Sequence, residues 1–94
     1  MALTFILEFP GGTQQQYDQI LDRLQLSGKP PPGQIFHVAG PIEGGWCVVD
    51  VWESQEAFDR FIQEKLGRAL QEVGMSLPQR PKVVPVHNIL ERAR

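Results

Sequence analysis

Two apolar spacings alternate along this chain, and their order constrains the fold more than any other feature. Apolar side chains fill every second position from Leu3 to Phe9, which is typical of a strand. Those from Tyr17 to Leu24 recur at the i, i+3, i+4, i+7 spacing of a helix buried along one face. Continued along the chain, the two patterns predict four strands and two helices: strands over 3–9, 34–40, 46–53 and 82–88, and helices over 13–26 and 54–74.

The order of these elements is β-α-β-β-α-β. Split β-α-β units with right-handed crossovers place both helices on one face of a four-stranded antiparallel sheet. We therefore expect a ferredoxin-like α+β fold in a single domain over residues 1–94. Pro85 lacks a backbone donor, so the last strand is expected at an edge of the sheet.

Local signals mark the ends of both helices. Thr13, followed three residues later by Gln16, predicts a capping box at the start of the first helix. Ser54 is a suitable N-cap for the second. Gly67 is unfavourable inside a helix by about 1 kcal/mol, which predicts a kink or a break near that residue.

Composition excludes several classes of function. The 9 Lys and Arg residues nearly balance the 11 Asp and Glu residues and are scattered, so no basic stripe is available for nucleic acid. No apolar run is long enough for a membrane span, and no signal peptide precedes the first strand, so we expect a soluble, cytoplasmic protein. The single cysteine, Cys47, allows neither an internal disulfide nor a thiolate zinc site.

The two faces of the sheet can be assigned by alternation. If the odd-numbered residues of strand one lie beneath the helices, matching parity predicts the rest of the core: Phe36, Val38, Cys47, Val49, Val51, Val84 and Val86. The opposite face would then carry a mixed apolar and polar set: Thr4, Ile6, Glu8, Ile35, His37, Ala39, Trp46, Val48, Asp50, Trp52, Val83, Pro85 and His87. Two exposed tryptophans and several aliphatic residues exceed the apolar surface that soluble monomers usually leave bare. We therefore predict a homodimer in which a second copy covers this face.

The same set contains the candidate functional residues. His37 could accept a proton, and Asp50 on the neighbouring strand could orient it or stabilise a charged intermediate. The alternative is that both are hydrogen-bonded interface residues. Side chains around them would contact a small hydrophobic ligand: Trp46, Trp52, His87, Ile6 and Ile35. A site with two histidines and a carboxylate for a metal is conceivable, but no local ligand spacing supports it, so neither a metal nor another cofactor is expected.

Several segments together carry a resemblance to a known superfamily: His37–Pro41, Gly44–Ser54, Ala57–Phe58, Phe61, Leu66 and Val84–Asn88. The chain resembles small bacterial proteins of the dimeric α+β barrel superfamily, which includes antibiotic biosynthesis monooxygenase-like domains. The resemblance spans about residues 3–88 and implies a homodimer whose two sheets form a barrel. Members include cofactor-independent oxygenases of aromatic substrates, haem-degrading enzymes, lactone isomerases and stress-response proteins. The haem degraders use an Asn on the first strand and a His on the second helix, and this chain has neither.

Three functions from different classes follow. The first is a cofactor-independent monooxygenase or isomerase that acts on a small hydrophobic or aromatic molecule through His37 and Asp50. The second is a noncatalytic, dimeric binding or stress-associated protein in which these residues only build the interface. RNA binding is the third, because an RNA-recognition motif shares this topology. It is disfavoured because no Lys or Arg occurs from Pro30 to Asp59.

Overall fold

The computed structural model describes residues 1–78 and 80–92, and its elements follow the predicted order. The strands are β1 (Leu3–Pro10), β2 (Gln34–Ile42), β3 (Gly45–Trp52) and β4 (Lys82–Pro85). The first helix is α1 (Gln14–Leu24). The second helical segment consists of α2 (Gln55–Phe61), a π-helical turn (Ile62–Leu66) and α3 (Gly67–Glu72). The four strands form one antiparallel sheet in the order β2-β3-β1-β4. The predicted ferredoxin-like α+β arrangement is confirmed.

The predicted helix starts are confirmed. The Thr13 side chain accepts from the backbone N–H of Gln16, whose own side chain reaches back to the Thr13 N–H, so the capping box is complete. Ser54 caps α2 by accepting from the Ala57 N–H at 3.1 Å. α1 ends slightly earlier than predicted, at Leu24, because Gln25 adopts a left-handed backbone conformation that closes the helix.

The break predicted near Gly67 is a π-helical turn. The Gly67 N–H bonds to the carbonyl of Ile62, five residues earlier. A Cβ on Gly67 would lie only 3.0 Å from that carbonyl oxygen, so glycine permits the close approach that the wider turn requires. The turn separates two ordinary α-helical stretches.

β4 is shorter than predicted, and His87 lies beyond it. The last bridged pair is Leu3 with Pro85, after which the Val86 N–H bonds to the Ala2 carbonyl at 3.0 Å. β4 runs antiparallel to β1 and reaches the first residue of that strand, Leu3, at Pro85, so the ladder between the two strands ends there. Pro85 itself has no N–H to donate.

The face assignment of β2, β3 and β4 was wrong. Phe9 lies directly opposite Trp46, and Phe5 opposite Asp50, and residues directly opposite one another share a face. The side of β3 that meets the helices therefore carries the two tryptophans and Asp50, and on β2 it carries His37, which is paired with Asp50. On β4 it carries Val83, opposite Phe5.

Large aromatic side chains explain why β3 turns this way. Trp52 is fully buried and packs against Phe58 and Phe61, with ring centroids 5.7 and 5.2 Å away. Phe5 stacks on Phe58 at 4.1 Å. Aromatic residues bury the largest apolar areas, so a strand that is apolar on both faces turns its tryptophans towards the helices.

The opposite face of the sheet is still apolar, although it contains no tryptophan. Phe36, Val38 and Val84 are 53%, 48% and 50% exposed, and Val49 and Ile6 follow Val38 across the neighbouring strands. We call this set the outer sheet face. It is the surface that a second molecule would cover, with aliphatic residues and Phe36 in place of the predicted tryptophans.

Candidate active site

Four side chains form a continuous hydrogen-bonded chain between the sheet and α1. The Tyr17 hydroxyl lies 2.5 Å from Nε2 of His37, and Nδ1 of His37 lies 2.6 Å from Oδ1 of Asp50. The indole N–H of Trp52 donates to the second oxygen, Oδ2, of Asp50 at 3.2 Å. We call this set, Tyr17–His37–Asp50–Trp52, the relay.

The fold positions each member of the relay by a simple rule. Asp50 and Trp52 are two residues apart on β3 and so point to the same face. His37 is the residue of β2 directly opposite Asp50. Tyr17 is on α1 and lies parallel to the His37 ring, with centroids 5.9 Å apart and planes inclined by 3°.

Asp50 is the polar anchor of the relay. It is the one buried charged residue in the part of the chain that the structure describes, at 5% exposure. Both carboxylate oxygens accept hydrogen bonds, which is the usual condition for burying such a group. Because the carboxylate can only accept, Nδ1 of His37 must carry the proton of that bond. Nε2 of a neutral His37 is then left as an acceptor, and the Tyr17 hydroxyl donates to it.

Tyr17 is held as a neutral phenol. Burial, followed by the negative charges of Asp50 and Asp18, raises the pKa of Tyr17 above its ordinary value. A phenol is protonated at neutral pH, and the raised pKa extends that state to higher pH.

A small, mostly apolar cavity of about 80 Å³ adjoins the relay. Tyr17, His37 and Asp50 contribute to its wall, together with Gln34. The remainder of the wall is mostly apolar and comes from both layers, including Leu7, Phe9, Ile20, Leu24, Phe61 and Leu66. A basic ring nitrogen beside an apolar space is suited to removing a proton from a hydrophobic molecule.

The π-helical turn shapes this cavity. Residues five apart on an α-helix, such as Phe61 and Leu66, would point about 140° apart. The i→i+5 bonding of a π-turn brings such residues closer to the same side, and both of these side chains line the cavity. The turn thus places Leu66 in the cavity wall beside Phe61.

A second, open space lies outside the first. It has a volume of about 420 Å³ and runs along the connection between α1 and β2. Tyr17, Leu21, Leu26, Gln34 and His37 line both the small cavity and this outer groove. We call these five shared residues the partition.

The structure brings most of the sequence-predicted site residues together, on the helix side of the sheet. His37 and Asp50 are hydrogen-bonded, and Trp52 holds Asp50. Trp46 packs on Tyr17 with ring centroids 5.3 Å apart, and its buried indole N–H has no hydrogen-bond partner among the described residues.

The other three predicted ligand contacts lie apart from the relay. Ile35 is the extra residue at an irregularity in β2 and lines the outer groove. Ile6 is on the outer sheet face, and His87 is exposed beyond the end of β4. Within the described residues, no three His, Cys, Asp or Glu side chains are grouped as metal ligands would be.

Sequence reasoning missed the part that Tyr17 plays. Its position in the apolar stripe of α1 marked it only as a core residue. The available signal was its polar tip, since a tyrosine hydroxyl usually finds a partner when the ring is buried. The identity of that partner depended on the faces of β2 and β3.

Solved structures with the same fold include proteins linked to oxygenation. A cofactor-independent oxygenase from Streptomyces nogalater, SnoaB, superposes with a TM-score of 0.66 at 15% identity, covering 97% of this chain and 98% of that one. A protein from Chloroflexus aurantiacus, provisionally assigned as an antibiotic biosynthesis monooxygenase, superposes with a TM-score of 0.64 at 17% identity, covering 95% and 97%. A protein from Deinococcus radiodurans with the same provisional assignment gives a TM-score of 0.59 at 8% identity over 100% of both chains.

These similarities define the fold. This chain has the α+β fold of antibiotic biosynthesis monooxygenase-like proteins, as its sequence resemblance predicted. The sequence matches no protein-family model, and it matches no curated protein at a significant level. No helix within residues 1–78 and 80–92 is both long and apolar enough to cross a bilayer.

Proposed function

We propose that this protein is a homodimeric, cofactor-independent monooxygenase that acts on a small aromatic molecule with an acidic C–H bond. The observation that carries the proposal is the relay: Asp50 fixes the His37 ring through Nδ1, which leaves Nε2 as the acceptor, and His37 lines an apolar cavity. Oxygenation by proteins of this fold, such as SnoaB, supports the choice of reaction.

The proposed reaction begins with proton transfer to His37. Nε2 of His37 removes one proton from a ring CH2 group, and the resulting carbanion is delocalised into the aromatic system. Asp50 stabilises the imidazolium that forms, in the manner of the carboxylate of other acid–base relays. The apolar wall excludes water, which would otherwise screen this interaction.

Dioxygen is the oxidant and the second substrate. It accepts electrons from the carbanion and forms a C–O bond, and His37 returns its proton to give a hydroperoxide. Removal of the second C–H proton breaks the O–O bond and releases water. The CH2 group and O2 are converted into a C=O group and H2O, so one oxygen atom enters the product.

Oxygen uptake with anthrone, an aromatic compound that has such a CH2 group, tests this proposal. Wild-type protein is expected to consume dioxygen, and isotopically labelled O2 should place one labelled atom in the ketone product. His37→Ala should lose the activity. His87→Ala is the matched control, because that exposed histidine lies outside the relay, and it should keep the activity. Equal rates in wild type and His37→Ala would contradict the assignment of His37.

A noncatalytic, ligand-binding or stress-associated dimer is the second candidate. The observation that favours it is that Nε2 of His37 already has a partner, the Tyr17 hydroxyl, as a purely structural histidine would. The His37→Ala variant distinguishes the two candidates. Loss of turnover with an intact dimer supports the enzyme, whereas dissociation or unfolding of the variant supports the structural role.

The outer sheet face supports the homodimer. Phe36, Val38 and Val84 form an uncovered apolar surface on the side of the sheet away from the helices. A second copy related by a two-fold axis would bury the same residues on both molecules. The relay and its cavity lie on the other side of the sheet, so each subunit would carry its own site.

A further inference from the structure

The Tyr17 hydroxyl occupies the position that a ligand needs. An imidazole has two ring nitrogens, and Asp50 engages Nδ1 of His37. Nε2 is therefore the only nitrogen with which His37 can act on another molecule, and Tyr17 lies 2.5 Å from it. Any ligand that His37 deprotonates must first displace this hydroxyl.

The small cavity has too little volume to hold an aromatic ligand while the Tyr17 hydroxyl is bonded to His37. Its volume is about 80 Å³. An apolar cavity of about 150 Å³ accommodates benzene, and pockets for drug-sized ligands span about 300–1,000 Å³. The outer groove, at about 420 Å³, is large enough, and Tyr17 and His37 lie on its border with the cavity.

The Tyr17 side chain is placed so that it can move. It is on the helix side of the partition, whereas His37 and Asp50 are fixed in paired strands. Its residue is only partly buried, and it borders the open groove as well as the cavity. In the described residues, the hydroxyl makes one hydrogen bond, the one to His37.

We propose that Tyr17 is a displaceable stopper: a ligand with an aromatic hydroxyl enters from the outer groove, takes over the hydrogen bond to Nε2 of His37, and joins groove and cavity into one site. This inference rests on the proposed function for the role of His37 and adds how the site opens and what the ligand must present. The ligand hydroxyl reproduces the bond that Tyr17 gives up, because a phenol replaces a phenol. In a ring-CH2 ketone such as anthrone the enol tautomer presents this hydroxyl, and loss of its proton to Nε2 gives the same carbanion as removal of the CH2 proton. A ligand without a hydroxyl leaves Nε2 unpaired, so it is discriminated against.

Binding of naphthol and of naphthalene to wild type and to Tyr17→Phe tests the stopper. Both ligands are planar and differ only in the hydroxyl, and ligand-observed NMR measures both affinities without turnover. Tyr17→Phe keeps the ring that packs on Trp46 and removes only the competing hydroxyl. We expect naphthol to bind about two- to tenfold more tightly to the variant, the range that corresponds to one net hydrogen bond. The affinity for naphthalene should change much less.

Leu21→Ala is the matched control variant. Leu21 lines the same partition but takes no part in the relay. Widening the partition there should strengthen binding of both ligands by the same factor and leave the preference for the hydroxyl unchanged.

Three results would overturn the inference. They are naphthol binding to Tyr17→Phe no more tightly than to wild type, an equal gain in affinity for both ligands, and no binding of naphthol to either protein. Failure of the stopper and failure of the proposed oxygenase are distinguishable. Tighter naphthol binding without oxygen uptake from anthrone refutes only the reaction, whereas uptake with unchanged binding refutes only the stopper.

Discussion

Replacing Asp50 by alanine or by asparagine separates the structural role of the relay from its chemical role. Alanine removes the acceptor of the Trp52 indole N–H, and Trp52 is fully buried, so water cannot replace it. An orphaned buried donor destabilises a protein by about 1–3 kcal/mol. The His37 side chain is 30% exposed, so water can partly satisfy its Nδ1–H. The loss of the Asp50 acceptor for this second donor therefore adds little to the destabilisation. We expect Asp50→Ala to lower the midpoint of thermal unfolding by at least about 4 °C.

Asparagine should preserve the fold and reverse the relay. Its carbonyl oxygen can accept from Trp52, but its NH2 group then faces Nδ1 of His37. We expect His37 to adopt the other tautomer, with its proton on Nε2, so that the Tyr17 hydroxyl accepts a hydrogen bond from Nε2. With the buried Trp52 donor still paired and the Tyr17 hydroxyl able to donate to water in the outer groove, Asp50→Asn should stay within about 1 kcal/mol of wild type in unfolding free energy. Nε2 can no longer act as a base, so oxygen uptake should disappear.

Two measurements check this pair of variants. Urea or thermal unfolding gives the stability difference, and NMR of the histidine ring nitrogens gives the tautomer, with His87 as the only other histidine signal. The reasoning is refuted if alanine is tolerated as well as asparagine. It is equally refuted if Asp50→Asn keeps its proton on Nδ1 or keeps full activity.

The remaining predictions concern the tyrosine, the outer sheet face and one glycine. Tyr17 is the only tyrosine, so tyrosinate absorbance follows it alone. In wild type it should titrate above pH 10, and in Asp50→Asn its pKa should lie closer to the ordinary value. Because the folded pKa is raised, this group stabilises the fold fully below about pH 10 and loses that contribution as pH rises through the folded pKa. An alkaline loss of stability no larger in wild type than in Tyr17→Phe would contradict this. Val38→Lys should give a folded monomer by sedimentation, since Val38 is 48% exposed in a single chain; a persisting dimer would place the interface elsewhere. Gly33→Ala should destabilise the fold by about 1–3 kcal/mol in chemical unfolding, because φ is +88° and the new Cβ would lie 2.7 Å from Cβ of Ala57; unchanged stability would disprove the close approach.

Local signals in the sequence were sufficient for the elements and their order. Thr13 with Gln16 and Ser54 each satisfy amides at a helix start, an interaction that needs only neighbouring residues. The alternation in β1 gives one face that is clearly more apolar than the other. For these elements, local patterning and the global fold agree.

The faces of the other strands could not be read in this way. β3 has large apolar residues on both sides, from Trp46 to Trp52, so alternation alone gives two equally acceptable answers. The irregularity at Ile35 shifts the register of β2 by one residue. A shift of one residue exchanges the two faces of a strand. Only the pairing of strands across the sheet decides which face of β2 and β3 meets the helices.

The candidate site shows the same division. His37 and Asp50 were recognisable by residue type and by their places on neighbouring strands. Their side of the sheet and the partnership with Tyr17 depend on contacts between distant segments. The predicted pair was therefore found together, but between sheet and helices instead of on the bare face.

NMR of the His37 ring nitrogens in wild-type protein, recorded during a titration with naphthol, tests the central claim most directly. The account predicts a proton on Nδ1, an unprotonated Nε2 in the free protein, and a change confined mainly to Nε2 when naphthol binds. A free protein with its proton on Nε2, or a titration in which His37 does not respond while naphthol binds, would contradict it.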